Sequence, residues 1–134
     1  MAIIQVACAI IQNDAGRVLA AQRGPAMDLP FKWEFPGGKI EPGETPQQCL
    51  EREIFEELNI QIHVGLKLLP NIHEYDTTVI ELMPFIARVV QGEPVPTEHL
   101  QILWCEPEQL IELDWAPADV PIVKNLIDRL RADL

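Results

Sequence analysis

The sequence predicts a mixed α/β fold of the α+β kind, with helices packed on one sheet, and three observations carry that reading. Apolar, β-branched runs recur with the alternation of half-buried strands. Two segments repeat apolar residues at helical spacing instead. Strands and helices are interleaved along the chain, which leads to a layered sandwich. The 134 residues, 48% of them hydrophobic, suffice for one core, and without internal repeat or low-complexity tract a single domain spanning 1–134 is expected.

Ala2 to Gln12 is apolar and β-branched, Asn13-Asp14-Ala15-Gly16 reads as a turn, and Arg17 to Gln22 as a second strand, so the chain opens with a hairpin. Residues 24–31, with Gly24, Pro25 and Pro30, read as a loop, and Lys32 to Phe35 as a short strand feeding the pair Gly37-Gly38. A helix follows, started by Thr45 as N-cap, Pro46 at the first helical position and Gln48 completing a T-x-x-Q capping box. Leu50, Ile54 and Leu58 give it an apolar stripe, and Asn59 stands where a left-handed residue would end it. Strands are expected near Gln61 to Leu69, Thr77 to Val90 and Leu100 to Cys105, with a turn at Gln91-Gly92-Glu93-Pro94. A short helix is expected over Pro107 to Ile111, and an amphipathic one from Val120 to Arg131 that turns Val123, Leu126, Ile127 and Leu130 inward.

The helix after Thr45 carries the chemistry. Glu53, Glu56 and Glu57 share an arc of about 100° within ~6 Å of helix axis. Like charges so spaced destabilise a helix by a few tenths of a kcal/mol per pair, and a divalent cation that prefers hard oxygen ligands, magnesium or else manganese, relieves that cost. Pro36-Gly37-Gly38 lets backbone approach the acidic face, so a carbonyl such as that of Gly37 is a further candidate ligand.

Residues 38–60 resemble the box of the Nudix hydrolases, G-x5-E-x7-R-E-U-x-E-E-x-G-U with U bulky and apolar. Gly38, Glu44, Arg52, Glu53, Ile54, Glu56, Glu57 and Ile60 all match, and six fixed identities at roughly one in fifteen each amount to about one chance match in ten million. Asn59 replaces the box glycine, and asparagine tolerates the same positive φ. The run W-E-F-P-G-G-K-I-E from Trp33 and the segment A-P-A-D-V-P from Ala116 are similar to the MutT-like branch. The resemblance implies an α/β/α sandwich with a mixed sheet and a loop-helix-loop motif, and a Mg²⁺-dependent nucleoside triphosphate pyrophosphohydrolase that releases a monophosphate and pyrophosphate.

It also implies roles. Gly37, Glu53, Glu56, Glu57 and Glu98 are the candidate metal ligands, Glu98 because it stands in the loop Pro96-Thr97-Glu98-His99 where MutT-like enzymes place an additional acid. Glu53 is the preferred general base and Glu98 the competing one, since either role depends on which carboxylate lies within one water of phosphorus. Arg52 points about 100° away from Glu53 around the helix and suits orienting a neighbouring glutamate through its planar fork. Glu44 is expected to secure the loop. Arg23, Glu34, Phe35, Pro36, Tyr75 and Asp119 are the substrate-binding candidates, Arg23 as a rigid donor fork and Tyr75 as a stacking platform. His63, His73 and His99 lack ligand spacing and read as structural or surface residues.

Asp119 bears on the base. MutT-like enzymes that hydrolyse oxidised guanine nucleotides have asparagine there, whose amide both donates and accepts, whereas an ionised carboxylate only accepts and suits an exocyclic amine such as cytosine N4. A protonated carboxyl in a dry pocket restores the donor. Sanitation of 8-oxo-dGTP is therefore the first expectation and hydrolysis of CTP or dCTP the alternative, with Asp119 as a mere cap of the last helix the plain reading. A non-catalytic nucleotide-binding module could dispense with the glutamates, all of which are present here.

A formal charge of −11 argues against a nucleic-acid polymer as partner, because such binding depends on basic side chains releasing counterions. No apolar run approaches a membrane span and no cleavable leader is evident, so a cytoplasmic protein, monomer or homodimer, is expected. Cys8, Cys49 and Cys105 form no zinc or C-x-x-C pattern and read as buried, reduced thiols.

Overall fold

The computed structural model describes residues 2–132, so Met1 and residues 133–134 of the expected span lie outside it. Eight strands and three helices follow in the order β1 (Ile3–Gln12), β2 (Val18–Gln22), β3 (Trp33–Glu34), β4 (Gly37–Lys39), α1 (Pro46–Leu58), β5 (Gln61–Lys67), β6 (Asn71–Glu74), β7 (Val79–Gln91), β8 (Gln101–Cys105), α2 (Pro107–Leu110) and α3 (Val120–Ala132). They make one mixed sheet. The path β3-β2-β1-β7-β5 is extended by β4 on β1, β6 on β7 and β8 on β2. Only β1 and β7 run parallel, paired continuously from Ile3↔Val79 to Gln12↔Arg88.

Strand alternation splits the core in two. Cys8 and Ile10 of β1, with Val18 and Ala20 of β2, face a cluster that holds Trp33, Phe35, Trp115 and the buried face of α3, Ile122, Val123, Leu126 and Ile127. Ala7, Ala9 and Ile11, with Leu19, face the other way and pack under Leu50, Ile54 and Leu58 of α1. A sheet with a helix on each face is the sandwich expected from interleaved elements. Leu130 is only partly buried and packs at the rim of its cluster.

Helix α1 begins as its sequence dictates. Thr45 is extended (φ −78°, ψ 159°), its side chain accepts from Gln48 N, and the Gln48 side chain accepts from Thr45 N. The helix ends at Asn59, left-handed at φ 57° and ψ 38°, with its N–H donating to Phe55 O.

Two strands escaped the sequence. Gly37–Lys39, read there as loop, is β4, with Gly37 opposite Cys8 and Gly38 opposite Ala7. A Cβ on Gly37 would lie 2.0 Å from the Ala7 carbonyl oxygen, and one on Gly38 would lie 2.3 Å from Cδ of Glu53. The two glycines thus press the site's backbone against β1 on one side and against α1 on the other. Asn71–Glu74 forms β6 through register with β7, a non-local pairing that its own periodicity does not announce. The strand expected to run to Leu69 ends at Lys67, after register shifts against β7.

Asn59 carries a testable consequence. Asn59→Ala is expected to lose about 1 kcal/mol of unfolding free energy in urea titration, because an ordinary Cβ is strained in this conformation. Asn59→Gly is expected to stay within ~0.5 kcal/mol of the parent.

Candidate active site

A cavity of about 740 Å³ opens between β4, the exposed side of α1's last turns, the loop after β2 and the segment before α3. Of the sequence candidates, Arg23, Glu34, Phe35, Gly37, Glu53, Tyr75, Glu98, Asp119 and Glu57 line it. Three do not. Pro36 is fully buried behind the wall, where its carbonyl accepts from Ala9 N at 2.8 Å, so it supports the site without facing a ligand. Glu56 projects outward with its side chain 54% exposed, and Arg52 lies behind Glu53.

Arg52 joins the loop to the helix. Its Nε and Nη2 donate to the two oxygens of Glu44 at 2.8 and 3.0 Å, while Nη1 donates to Glu53 Oε1 at 2.8 Å. Glu44 also accepts from Glu41 N at 3.0 Å. The guanidinium holds the Glu44 carboxyl down at about 2, and both glutamates push the Arg52 pKa up. One arginine thereby fixes the orientation of Glu53 and closes the turn that precedes α1.

Glu57 is the buried member of the acidic set, at 4% exposure. Burial raises its pKa to about 10, and the hydrogen bond with Glu53 and the charges of Glu34, Glu53 and Glu98 push the same way. Without a cation the Glu57 carboxyl is therefore pushed toward its neutral form. Among the described residues no three His, Cys, Asp or Glu side chains already converge as a closed metal cage. A hard divalent ion is usually held by one or two carboxylates, with waters and substrate phosphates completing its shell. The residues fit such an ion in two respects: crowded carboxylates that a divalent charge would neutralise, and the bare Gly38 against which Glu53 lies.

The rest of the site is tied together by hydrogen bonds. Glu34 accepts from Arg23 Nη1 at 2.6 Å through Oε1 and pairs with His99 Nε2 at 2.8 Å through Oε2. Arg23 also donates from Nε to the Asp28 carbonyl, so its fork is held by the loop that follows β2. Tyr75 packs on His73 with ring centroids 4.5 Å apart, and its hydroxyl accepts from Ala118 N at 3.1 Å, which braces the segment carrying Asp119. His99 is not a surface residue: its side chain is 1% exposed, wedged between Glu34 and Glu57. Its sequence neighbourhood gave no signal for this, because both partners lie in other elements.

Asp119 is 5% exposed, and its Oδ2 accepts from Phe35 N at 2.9 Å, so the carboxyl bridges to β4's entry instead of capping α3. Burial raises its pKa to about 8, partly offset by the Phe35 N–H and reinforced by Glu34. The three cysteines are free and buried, and burial pushes their thiols up, Cys49 to about 12, which makes them inert packing groups. Among the described residues no helix is long and apolar enough to cross a membrane.

The family model described as the NUDIX domain matches residues 3–126. The chain is 38% identical over 124 residues to the CTP pyrophosphohydrolase of Escherichia coli (strain K12), covering 92% of this chain and 91% of that protein. It is 35% identical over 127 residues to the 8-oxo-dGTP diphosphatase of Haemophilus influenzae, covering 94% and 93%. The solution structure of the E. coli ORF135 protein superposes with a TM-score of 0.84 at 38% identity, over 99% of this chain and 94% of that one.

The raised pKa of Asp119 fixes the sign of a stability profile. Its folded value, about 8, lies above its unfolded value near 3.8, so the folded state binds the extra proton in between. The stabilisation from keeping the carboxyl neutral is complete below that unfolded value and is lost as pH rises through about 8. Glu57 adds the same sign over an overlapping window that extends up to about 10, so the quantity to measure is wild type minus Asp119→Asn, by chemical denaturation with EDTA present. That difference is expected to fall between pH 5 and 8 by up to about 1.4 kcal/mol per pH unit and then level off.

Proposed function

The chain belongs to the Nudix family of hydrolases acting on nucleotide phosphoanhydrides, and on that premise we propose that it is a Mg²⁺-dependent, MutT-like nucleoside triphosphate pyrophosphohydrolase whose base choice is made at Asp119. The observation that carries the reading is the common cavity lined by Glu53, Glu57, Glu98 and Asp119, which supports a phosphate end at the glutamates and a base end at Asp119. Glu53 and Glu57, with the Gly37 carbonyl and Glu98, would hold magnesium, or manganese in its place, and Glu56, which projects outward from the cavity, would join them on turning its side chain inward. Bound there, the metal would supply charge withdrawal from phosphoryl oxygens and a more acidic water.

The chain's own residues supply the rest. Arg52 locks Glu53 in orientation, so this carboxylate is the one set to take the proton from the attacking water, with Glu98 on the same cavity wall as the competing base. Attack at the β-phosphorus forms a new P–O bond there and breaks the bond from that phosphorus to the α–β bridging oxygen. The monophosphate leaves with the bridging oxygen, and pyrophosphate takes up the oxygen of water. Arg23, held by Glu34 and the Asp28 carbonyl, presents its remaining N–H groups to phosphate or base.

The protonated form of Asp119, dominant below about pH 8, offers an O–H donor beside an acceptor already engaged by Phe35 N. This supports 8-oxo-dGTP as substrate, because the O6 of the oxidised purine needs a donor. The ionised form supports the second reading, CTP or dCTP, whose N4 amine needs an acceptor; the similarity to a CTP pyrophosphohydrolase favours the same reading. A nucleotide panel run against pH separates them. The ratio of kcat/KM for 8-oxo-dGTP over dCTP is expected to fall as pH rises through about 8 and to lose that dependence in Asp119→Asn, which should favour the oxidised purine throughout. A ratio with the same pH profile in both proteins would leave Asp119 without a part in base choice.

Cleavage itself is tested separately. Glu57→Gln is expected to lower kcat at least ~100-fold, and EDTA to abolish turnover until Mg²⁺ is restored, in keeping with the several kcal/mol of charge stabilisation a metal contributes. In ¹⁸O-labelled water the label should enter pyrophosphate; label in the monophosphate refutes attack at the β-phosphorus.

A further inference from the structure

Among the three histidines only His99 is buried. Its Nε2 is engaged by Glu34 Oε2 at 2.8 Å, but Nδ1 is the one buried side-chain nitrogen or oxygen without a hydrogen-bond partner among the described residues. Orphaned polar atoms in dry surroundings cost stability, and such an atom in a site wall points to a function. The nearest candidate is Glu57 Oε1, 3.8 Å away. That separation is too long for a hydrogen bond and short enough for a carboxylate rotation to close.

The backbone keeps the ring at this spot. Thr97 N donates to Glu57 O at 2.9 Å, and Thr97 Oγ1 donates to the carbonyls of Glu56 and Glu57 at 2.8 and 3.0 Å, which ties the loop to the last turn of α1. On the other side, Leu100 N donates to Gln22 O at 2.9 Å, next to Arg23. His99 is therefore clamped between the helix that bears Glu57 and the strand end that bears Arg23. A continuous chain runs Arg23–Glu34–His99, with Glu57 as its next member.

We propose that His99, with N–H groups on both ring nitrogens, is a positioning residue for the reaction: through Nδ1–H it orients the Glu57 carboxylate toward the divalent ion, and through Nε2–H it couples that orientation to Glu34 and Arg23 on the substrate side. The inference rests on the reading of Glu53, Glu56 and Glu57 as metal holders. Partners of this kind, one bond removed from the metal, typically set affinity by tenfold or more.

Two substitutions separate the ring nitrogens, since an asparagine amide overlays Nδ1 and a glutamine amide overlays Nε2. Mn²⁺ binding is measured by electron paramagnetic resonance of the free ion in the substrate-free protein. His99→Gln, which keeps a partner for Glu34 but none for Glu57, should bind Mn²⁺ ~10-fold more weakly, and His99→Asn should stay within ~3-fold of wild type. Any other ranking, equal losses included, overturns the proposal, since a merely structural histidine would not distinguish its two nitrogens. Failure of the wild type itself to bind Mn²⁺ would instead overturn the metal reading and this inference with it. Should a variant not fold, imidazole ¹⁵N NMR of the wild type decides: Mg²⁺ should shift Nδ1 of His99 while exposed His63 stays in place, and an unmoved His99 signal refutes the assignment.

Discussion

Electrostatic repulsion among carboxylates in a half-buried cleft is the constraint on which the architecture turns. Two like charges about 4 Å apart repel by about 4 kcal/mol at an effective dielectric near 20, a large fraction of a small domain's stability. Glu34, Glu53 and Glu98 all act on Glu57 across this cleft, and burial desolvates Glu57 as well. The protein manages the conflict by giving individual carboxylates fixed partners: Arg52 for Glu44 and Glu53, Arg23 and His99 for Glu34. What is left unbalanced is concentrated at Glu57, where a divalent ion is best placed to balance it.

Rigid scaffolding keeps those partners in register. The helix bearing the acids is anchored along three apolar residues to one face of the sheet, its start is fixed by the Thr45–Gln48 box, and its end is held by Asn59 and by the loop from Val95 to Thr97. Asp119 belongs to the opposite layer and reaches the site only because Trp33 N donates to Asp114 O and Ala116 N to Trp33 O, which lays the segment before α3 alongside β3. The acidic helix and the segment that carries Asp119 thus come from opposite sides of one sheet.

Elements written in local chemistry were legible beforehand. Both ends of α1, the apolar stripes of α1 and α3 and the opening hairpin follow from capping, periodicity and turn residues within a few positions of one another. Features that depend on non-local partners were not. A three-residue strand of two glycines and a lysine has no period to read, and β6 exists only as register against β7. His99 lies next to a suspected acid, yet its partners Glu34 and Glu57 are 65 and 42 positions away, and the sequence offered no reason to join them. Asp119 showed the opposite case: a lone carboxylate in a recognisable segment was singled out, while its bond to Phe35 N could not be.

The parallel pairing of β1 with β7 has a kinetic side. The central ladder of the sheet joins residues 3–12 to residues 79–88, so it cannot close until most of the chain has left the ribosome. Helix α1 and the hairpin can form early from local contacts, but Gly37 and Gly38 find their seat only once β1 is fixed in the sheet. Until then the acidic turn lacks the sheet face against which Leu50, Ile54 and Leu58 pack, and its charges are screened by water. Maturation of the nucleotide cleft and completion of the sheet's middle are one late, cooperative event.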